Sequence, residues 1–350
     1  MTRTRVLVID DSAVMRKLLT EMLAKDPGLE VVGSAPDPIA AVDQIKALRP
    51  DALTLDVEMP RMDGLTFLEK LMRVHPMPVV MVSSLTEKGC ATTVRALELG
   101  AVDFVTKPKA HSLHGAQNFA EDLIQRVKAA ARARVRLRAP LPARAPVVKA
   151  ALPTAGEAML RTTQKIIAIG ASTGGTEAVL EVLSTMPADA PGIVIVQHMP
   201  EKFTRSFAER LDSLCKIRIK EAADGDRVLT GHALIAPGGR QMQLVRSGAV
   251  YSVRVFDGER VNRHRPSVDV LFESIARVAG SNAAAAILTG MGDDGARGML
   301  ALRKAGARTL AQNEQTCVVY GMPKEAVALG AVEESLALES IGGRLLKLAA

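Results

Sequence analysis

The sequence predicts two doubly wound, mostly parallel α/β domains in tandem, and three observations carry that expectation. Short apolar, β-branched runs alternate with amphipathic helical stretches from residue 5 to about residue 125, and a second such series begins near residue 165. Between the two series, residues 126–161 hold nine Lys/Arg against Glu157 alone, with prolines at 140, 142, 146 and 153. Chemically reactive side chains recur where strand-like runs end, which is where open parallel sheets place their sites.

A chain of 350 residues suffices for two ordinary domains with full cores. Of its formal charge of +7, the 126–161 segment supplies eight, so the remainder is near neutral at −1. That distribution argues against nucleic-acid binding by the globular parts. Cys90, Cys215 and Cys317 are few and far apart, fitting reduced thiols better than a disulfide framework or a zinc site. No run has the length of a membrane span, and residues 1–5 lead into a strand and an acidic pair, so a cytoplasmic location is expected.

In the first series, Arg5–Asp11 is an apolar strand ending in two carboxylates, followed by a helix whose Val14, Leu18, Leu19, Met22 and Leu23 share one face. Strands are expected at residues 29–34, 52–56, 79–84 and 104–106, with helices at 38–48, 65–74 and 92–99. Asp10 and Asp11 then end the first strand, Asp56 the third, and Lys107 follows the fifth. Clustered carboxylates repel one another, and a hard, oxygen-seeking cation such as Mg²⁺ relieves this. A lysine beside them can hold phosphoryl oxygens, and one aspartate can accept the phosphoryl group. Taken singly, each carboxylate also fits a helix cap or a solvated loop.

Residues 1–122, through Asp10-Asp-Ser12, Leu55-Asp-Val-Glu-Met-Pro-Arg-Met-Asp-Gly64, Val82-Ser-Ser84 and Phe104-Val-Thr-Lys-Pro108, resemble a response-regulator receiver domain. The resemblance implies Asp56 as phosphoacceptor, and Mg²⁺ held by the carboxylates of Asp10, Asp11 and Asp56 and the carbonyl of Glu58. It further implies Ser83 and Phe104 as switch residues, Lys107 on the phosphoryl oxygens, and a cis bond before Pro108. Residues 123–160 read as a basic Ala/Arg/Pro linker whose first part extends the preceding helix through Phe119, Leu123 and Val127. Docking to an acidic partner or to membrane headgroups is the alternative role for this segment.

The second series, residues 161–350, opens on Ile166–Ile169, a buried strand, and Thr176–Leu183, a helix. The turn between them is Gly170-Ala-Ser-Thr-Gly174, which fits the G-x-S-x-G pattern of a nucleophile elbow and equally a glycine loop holding phosphate. Residues 192–198 form a second buried strand ending in His198, and 283–289 a third running into Gly290-Met-Gly-Asp-Asp-Gly295. Strands are also expected at 233–236, 241–245 and 250–255, the last two forming a hairpin, and a helix at 267–278. Ser172, His198 and Asp293 or Asp294 are the groups needed by an activated hydroxyl, an imidazole base and an orienting acid. Backbone N–H groups near Met291 could cradle an oxyanion. The residues alone leave His232 and His264 in competition for the base, and Asp293 with Asp294 for the acid. The 263–269 loop reads as substrate-contacting or as a basic loop capped by Ser267.

Residues 163–350 closely resemble the catalytic domain of the chemotaxis protein-glutamate methylesterases. The matching segments are Ile169-Gly-Ala-Ser-Thr-Gly-Gly-Thr-Glu-Ala178, Val196-Gln-His-Met-Pro200, Ile235-Ala-Pro-Gly-Gly239, His264-Arg-Pro-Ser-Val-Asp269, Leu288-Thr-Gly-Met-Gly-Asp-Asp-Gly295, and Gln312-Asn313 with Gly321-Met-Pro-Lys-Glu325. On that resemblance Ser172 is the nucleophile, His198 the base, Asp294 the acid and the Met291 backbone part of the oxyanion hole, with no cofactor for the esterase step. It implies hydrolysis of glutamate γ-methyl esters, and deamidation of particular glutamines, on chemoreceptors. A histidine kinase would be the phosphodonor, and the unphosphorylated receiver would cover the catalytic face. The expected protein is a monomer that meets membranes only through receptors. The competing reading, a two-component regulator whose output domain binds DNA or a nucleotide, lacks a helix-turn-helix pattern. An ordinary α/β-hydrolase would order its triad serine, acid, histidine, and this chain orders it serine, histidine, acid.

Overall fold

A computed structural model describes residues 3–59, 62–84, 86–107, 113–133, 135 and 165–349. The chain divides near residue 140 into two compact units, each with its own sheet. Most of the basic linker and the bond before Pro108 lie outside the described residues.

The N-terminal unit has strands β1 (Thr4–Ile9), β2 (Leu29–Ala35), β3 (Ala52–Asp56), β4 (Val79–Ser83) and β5 (Asp103–Thr106). Its helices are α1 (Ala13–Leu23), α2 (Pro38–Leu48), α3 (Gly64–Val74), α4 (Glu87–Glu98) and α5 (Leu113–Ala131). The strands form one parallel sheet in the order β2-β1-β3-β4-β5. Because β1 and β3 are neighbours from which the chain leaves in opposite directions, their carboxyl ends open a crevice. Helices on the sheet bury it: all five residues of β3 and of β4 are buried. Asp37 and Asp63 start α2 and α3 by accepting backbone N–H groups, the ordinary role of a short acidic N-cap. Phe119, Leu123 and Val127 are buried along α5, as their spacing predicts. Val14 departs from expectation: it is 75% exposed, while Leu19, Met22 and Leu23 carry the buried face of α1. It lies in the first turn of α1, beside the crevice and beyond the packed part of the stripe.

The C-terminal unit has a seven-stranded sheet in the order β14-β13-β12-β6-β7-β9-β8, every pairing parallel. These strands are β6 (Ile166–Ala171), β7 (Gly192–Gln197), β8 (Arg218–Glu221), β9 (His232–Ile235), β12 (Ala283–Ile287), β13 (Arg308–Gln312) and β14 (Glu334–Leu336). The hairpin β10 (Gln241–Ser247) and β11 (Val250–Phe256) stands apart as a two-stranded antiparallel ribbon. β6, β7 and β12 are buried along their whole length, which explains their unbroken apolar sequences. Helix Val268–Val278 packs Val268, Leu271, Phe272 and Ile275 into the core with the hairpin residues Leu244 and Val253. The chain passes from β6 to β7 on one side and returns at β12 on the other, so the switch point lies between β6 and β12.

Candidate active site

Ser172 is the first residue after β6, in a turn closed by Gly174, whose φ of 75° suits a residue without a Cβ. The helix Gly175–Ser184 starts at once beyond it. Two hydrogen bonds fix the turn: the Ser172 N–H donates to the carbonyl of Thr289 (3.0 Å), and Gln197 Nε2 donates to the carbonyl of Ser172 (2.9 Å). Gly290 lies so close that a Cβ there would meet the Cβ of Ser172 at 2.8 Å. The ends of β6 and β12 are thus pressed together around the serine.

His198 leaves β7 level with Ser172, since Ala171 pairs with Gln197 and the His198 N–H donates to the Ala171 carbonyl at 3.1 Å. Its ring is buried, with Nε2 lying 2.8 Å from Oδ2 of Asp294. The other ring nitrogen, Nδ1, is buried and has no hydrogen-bond partner among the described residues. The ring of His264 stacks on it, with centroids 3.7 Å apart and planes 10° from parallel. When Nε2 carries the hydrogen and donates to the carboxylate, Nδ1 is a bare acceptor for a hydroxyl proton.

Of the two adjacent aspartates, Asp294 is buried and Asp293 exposed, so the chain itself separates the alternatives. Asp294 Oδ1 accepts from Asn262 Nδ2 (2.8 Å) and Ser267 Oγ (2.7 Å), and Oδ2 also accepts from the Val268 N–H (2.7 Å). Burial alone would raise its pKa, but the hydrogen bond and charge of His198, with Asn262 and Ser267, hold the carboxyl well below the usual range. Asn262 Nδ2 also donates to Asp269 Oδ2 (2.7 Å), and its Oδ1 accepts from Arg297 Nη2 (2.7 Å). One amide therefore joins two buried carboxylates. Sequence reasoning passed over Asn262 and Gln197; the only available sign was their place beside the motifs.

The remaining candidates also find definite places. His232 sits at the start of β9 with Nδ1 3.0 Å from the Thr230 carbonyl, away from the carboxyl ends of the strands. Met291 follows Gly290 at the end of β12, and its backbone N–H makes no hydrogen bond among the described residues. Ser267 caps the helix Val268–Val278 while its hydroxyl donates to Asp294.

In the N-terminal unit the carboxylates of Asp10, Asp11 and Asp56 gather with ligand atoms within 4.8 Å of one another, a group able to hold a cation. Asp10 and Asp56 are buried and Asp11 is exposed, so the cluster opens to solvent on one side. Lys107 Nζ lies 2.7 Å from Asp56 Oδ2 and 3.2 Å from Asp10 Oδ2. Burial pushes the Asp56 carboxyl up to about 6, with Asp10 adding to the rise and Lys107 opposing it. The residues present fit a hard divalent cation, which would offset the repulsion. The Glu58 N–H approaches Asp56 Oδ1 at 3.4 Å. Ser83 is buried with its hydroxyl 2.7 Å from that of Thr93 on α4, and Phe104 is buried in β5.

Comparison with known proteins finds matches to both units of the chain. The CheB methylesterase family model matches residues 167–345, and the response regulator receiver domain model matches residues 6–116. The chain is 59% identical over 345 residues to a protein-glutamate methylesterase/protein-glutamine glutaminase 2 of Pseudomonas aeruginosa, covering 99% of this chain and 97% of that one. It is 56% identical over 346 residues to a protein-glutamate methylesterase/protein-glutamine glutaminase of Salmonella typhimurium, with the same coverage of 99% and 97%. Among solved structures, the CheB methylesterase catalytic domain of Thermotoga maritima matches with a TM-score of 0.52 and 37% identity, covering 53% of this chain and 98% of that one.

Proposed function

The chain belongs to the CheB methylesterase family with a response regulator receiver domain ahead of the catalytic part, and from that premise we propose a phosphorylation-activated hydrolysis of glutamate γ-methyl esters on chemoreceptors. The activity is that of a protein-glutamate methylesterase and protein-glutamine glutaminase, serving sensory adaptation in chemotaxis. One observation carries the mechanism: a buried imidazole whose Nε2 is taken by Asp294 while Nδ1 is left without a partner, level with Ser172 on the neighbouring strand.

In the proposed reaction His198 Nδ1 accepts the Ser172 hydroxyl proton as Oγ forms a bond to the ester carbonyl carbon. Asp294 holds the ring in place and stabilises the imidazolium. The oxyanion is held by backbone N–H groups, that of Met291 among them. Collapse breaks the bond to the methoxy oxygen, which takes the proton from His198 and leaves as methanol. Water, deprotonated by the same nitrogen, then releases glutamate and restores Ser172. With a glutamine substrate the leaving group is ammonia.

The receiver supplies control. A histidine kinase is the proposed phosphodonor and Asp56 the acceptor, with Asp10, Asp11, Asp56 and the Glu58 carbonyl holding Mg²⁺. When bound, that ion neutralises charge between carboxylates and phosphoryl oxygens. Lys107 pairs with those oxygens, and Ser83 and Phe104 shift toward the modified aspartate, moving the receiver to a state that relieves the catalytic part. The proposed species is a monomer acting in the cytoplasm; no described helix is long and apolar enough to cross a membrane. The test is methanol release from methylated receptor membranes. Ser172→Ala abolishes it, and Asp56→Asn keeps the basal rate but removes stimulation by a small phosphodonor; full activity or full stimulation, respectively, contradicts the assigned role.

A further inference from the structure

Two loops meet beside His198, one leaving the carboxyl end of β7 and the other joining β11 to the helix Val268–Val278, and both carry backbone strain. Among the described residues of this unit, the non-glycine residues with positive φ are Lys202 (75°), Asn262 (49°) and Arg263 (69°). Asn262 and Arg263 are the central pair of a two-residue turn closed by reciprocal Val261 and His264 hydrogen bonds of 3.0 and 2.8 Å. Asparagine suits the first position, and glycine is the usual choice at the second. Asn262 also has an evident task in its bonds to Asp269 and Asp294.

Lys202 and Arg263 have no such internal task. Both are exposed, and neither side chain has a hydrogen bond or ion pair among the described residues. Strain retained at such positions points toward function when it gathers beside a reactive group. Lys202 is four residues beyond His198, and Arg263 adjoins His264, which stacks on the His198 ring. The loops are also continuous with each other. A Cβ on Gly238 would lie 2.4 Å from the Pro200 carbonyl oxygen, and the Gly239 N–H donates to the Arg265 carbonyl at 3.0 Å. Of the nearby acids, Asp257 is engaged by Arg240, while Glu201 and Asp293 are exposed.

We propose that Lys202 and Arg263 form a docking edge for an acidic polypeptide segment, reading carboxylates that flank the ester. The inference rests on the esterase reading, because an esterified run of glutamates presents free carboxylates wherever it is not methylated, and each turnover adds one. Uncommitted cations on the rim steer such a segment and fix its register. The left-handed backbone holds the two bases beside the reacting groups, and glycine would relax it at the loss of the charge.

The test uses the full chain with a phosphodonor and compares Lys202→Gly, Arg263→Gly and the double variant with the parent. Two substrates are needed: methylated receptor membranes, and a blocked, uncharged glutamate γ-methyl ester. The kcat/KM ratio between receptor and small ester is expected to fall about threefold to tenfold per substitution at low salt, mainly through KM, and to converge on the parent's value at high salt. Arg263→Lys restores most of it, and thermal stability of the glycine variants equals or exceeds the parent's. A parent-like ratio and salt slope in the double variant overturns the proposal, as does a lowered ratio that salt does not affect. Absence of methanol release by the parent itself defeats the esterase reading instead, so the two failures are distinguishable.

Discussion

His198 Nε2 lies 2.8 Å from Asp294 Oδ2 with both side chains buried, so the imidazole presents Nδ1, its remaining nitrogen, to chemistry. The acid reaches this position through its own donors: Asn262, Ser267 and the Val268 N–H aim its two oxygens before the histidine is considered.

Asp294→Asn tests this relationship directly. An amide can present a hydrogen to Nε2, which moves the ring hydrogen to Nδ1 and leaves no acceptor for the serine proton. The expected loss in kcat is about 10³- to 10⁴-fold, with the fold retained. Methanol release under single-turnover conditions, read beside far-ultraviolet circular dichroism, checks both parts.

Asn262→Leu should destabilise the catalytic unit in a pH-dependent way. The Asp294 carboxyl titrates below its ordinary range, so its stabilising effect is complete above the unfolded pKa near 4 and fades as pH falls through the folded value. Removing one donor raises the folded value toward the unfolded one. The variant is expected to lose about 2 kcal/mol at pH 7, with the deficit shrinking below pH 4. Denaturant midpoints at the two pH values measure it.

Asp56→Asn carries the opposite sign. The folded carboxyl titrates at about 6 against an ordinary 3.8, so between those values the folded state holds a proton that the unfolded state has released. Stability therefore falls as pH rises from about 4 to 6 and stays lower above that. The asparagine variant escapes this penalty and is expected to exceed the parent by about 3 kcal/mol at pH 7.5 without divalent cations, with no gain below pH 4. Magnesium added to the parent should narrow the gap. Urea unfolding of the receiver, followed at both pH values, decides the matter.

Both sheets were legible because buried parallel strands are mainly apolar runs, and β1, β3, β6, β7 and β12 are of that kind. β8, β13 and β14 escaped notice, because Arg218–Glu221 alternates charge with apolar residues, Arg308–Gln312 is mixed, and Glu334–Leu336 spans only three residues. At the site, residue types and strand ends narrowed the chemistry but could not divide Asp293 from Asp294. That distinction depends on the helix Val268–Val278, whose N-terminal groups take Asp294 inward. Asn262 was invisible for a similar reason: its function comes from a left-handed turn bringing distant carboxylates to one amide.

The Ser83–Thr93 contact offers a way to bias the receiver without touching its phosphorylation chemistry. The two hydroxyls are buried and 2.7 Å apart, and Thr93 also lies 2.7 Å from the Gly89 carbonyl, so Ser83 is tied to α4 in this state. In the proposed switch Ser83 moves toward a phosphoryl group on Asp56 and so has to leave that partner. Thr93→Val preserves the shape and removes the hydroxyl, and one net hydrogen bond is worth about 1 kcal/mol. The resting state loses that amount relative to the activated one, which shifts the equilibrium about fivefold. Basal methanol release should rise by up to that factor, half-maximal activation should need less phosphodonor, and the fully phosphorylated rate should match the parent's. A basal rate and a phosphodonor response identical to the parent's would show that Ser83 does not have to leave Thr93 for activation.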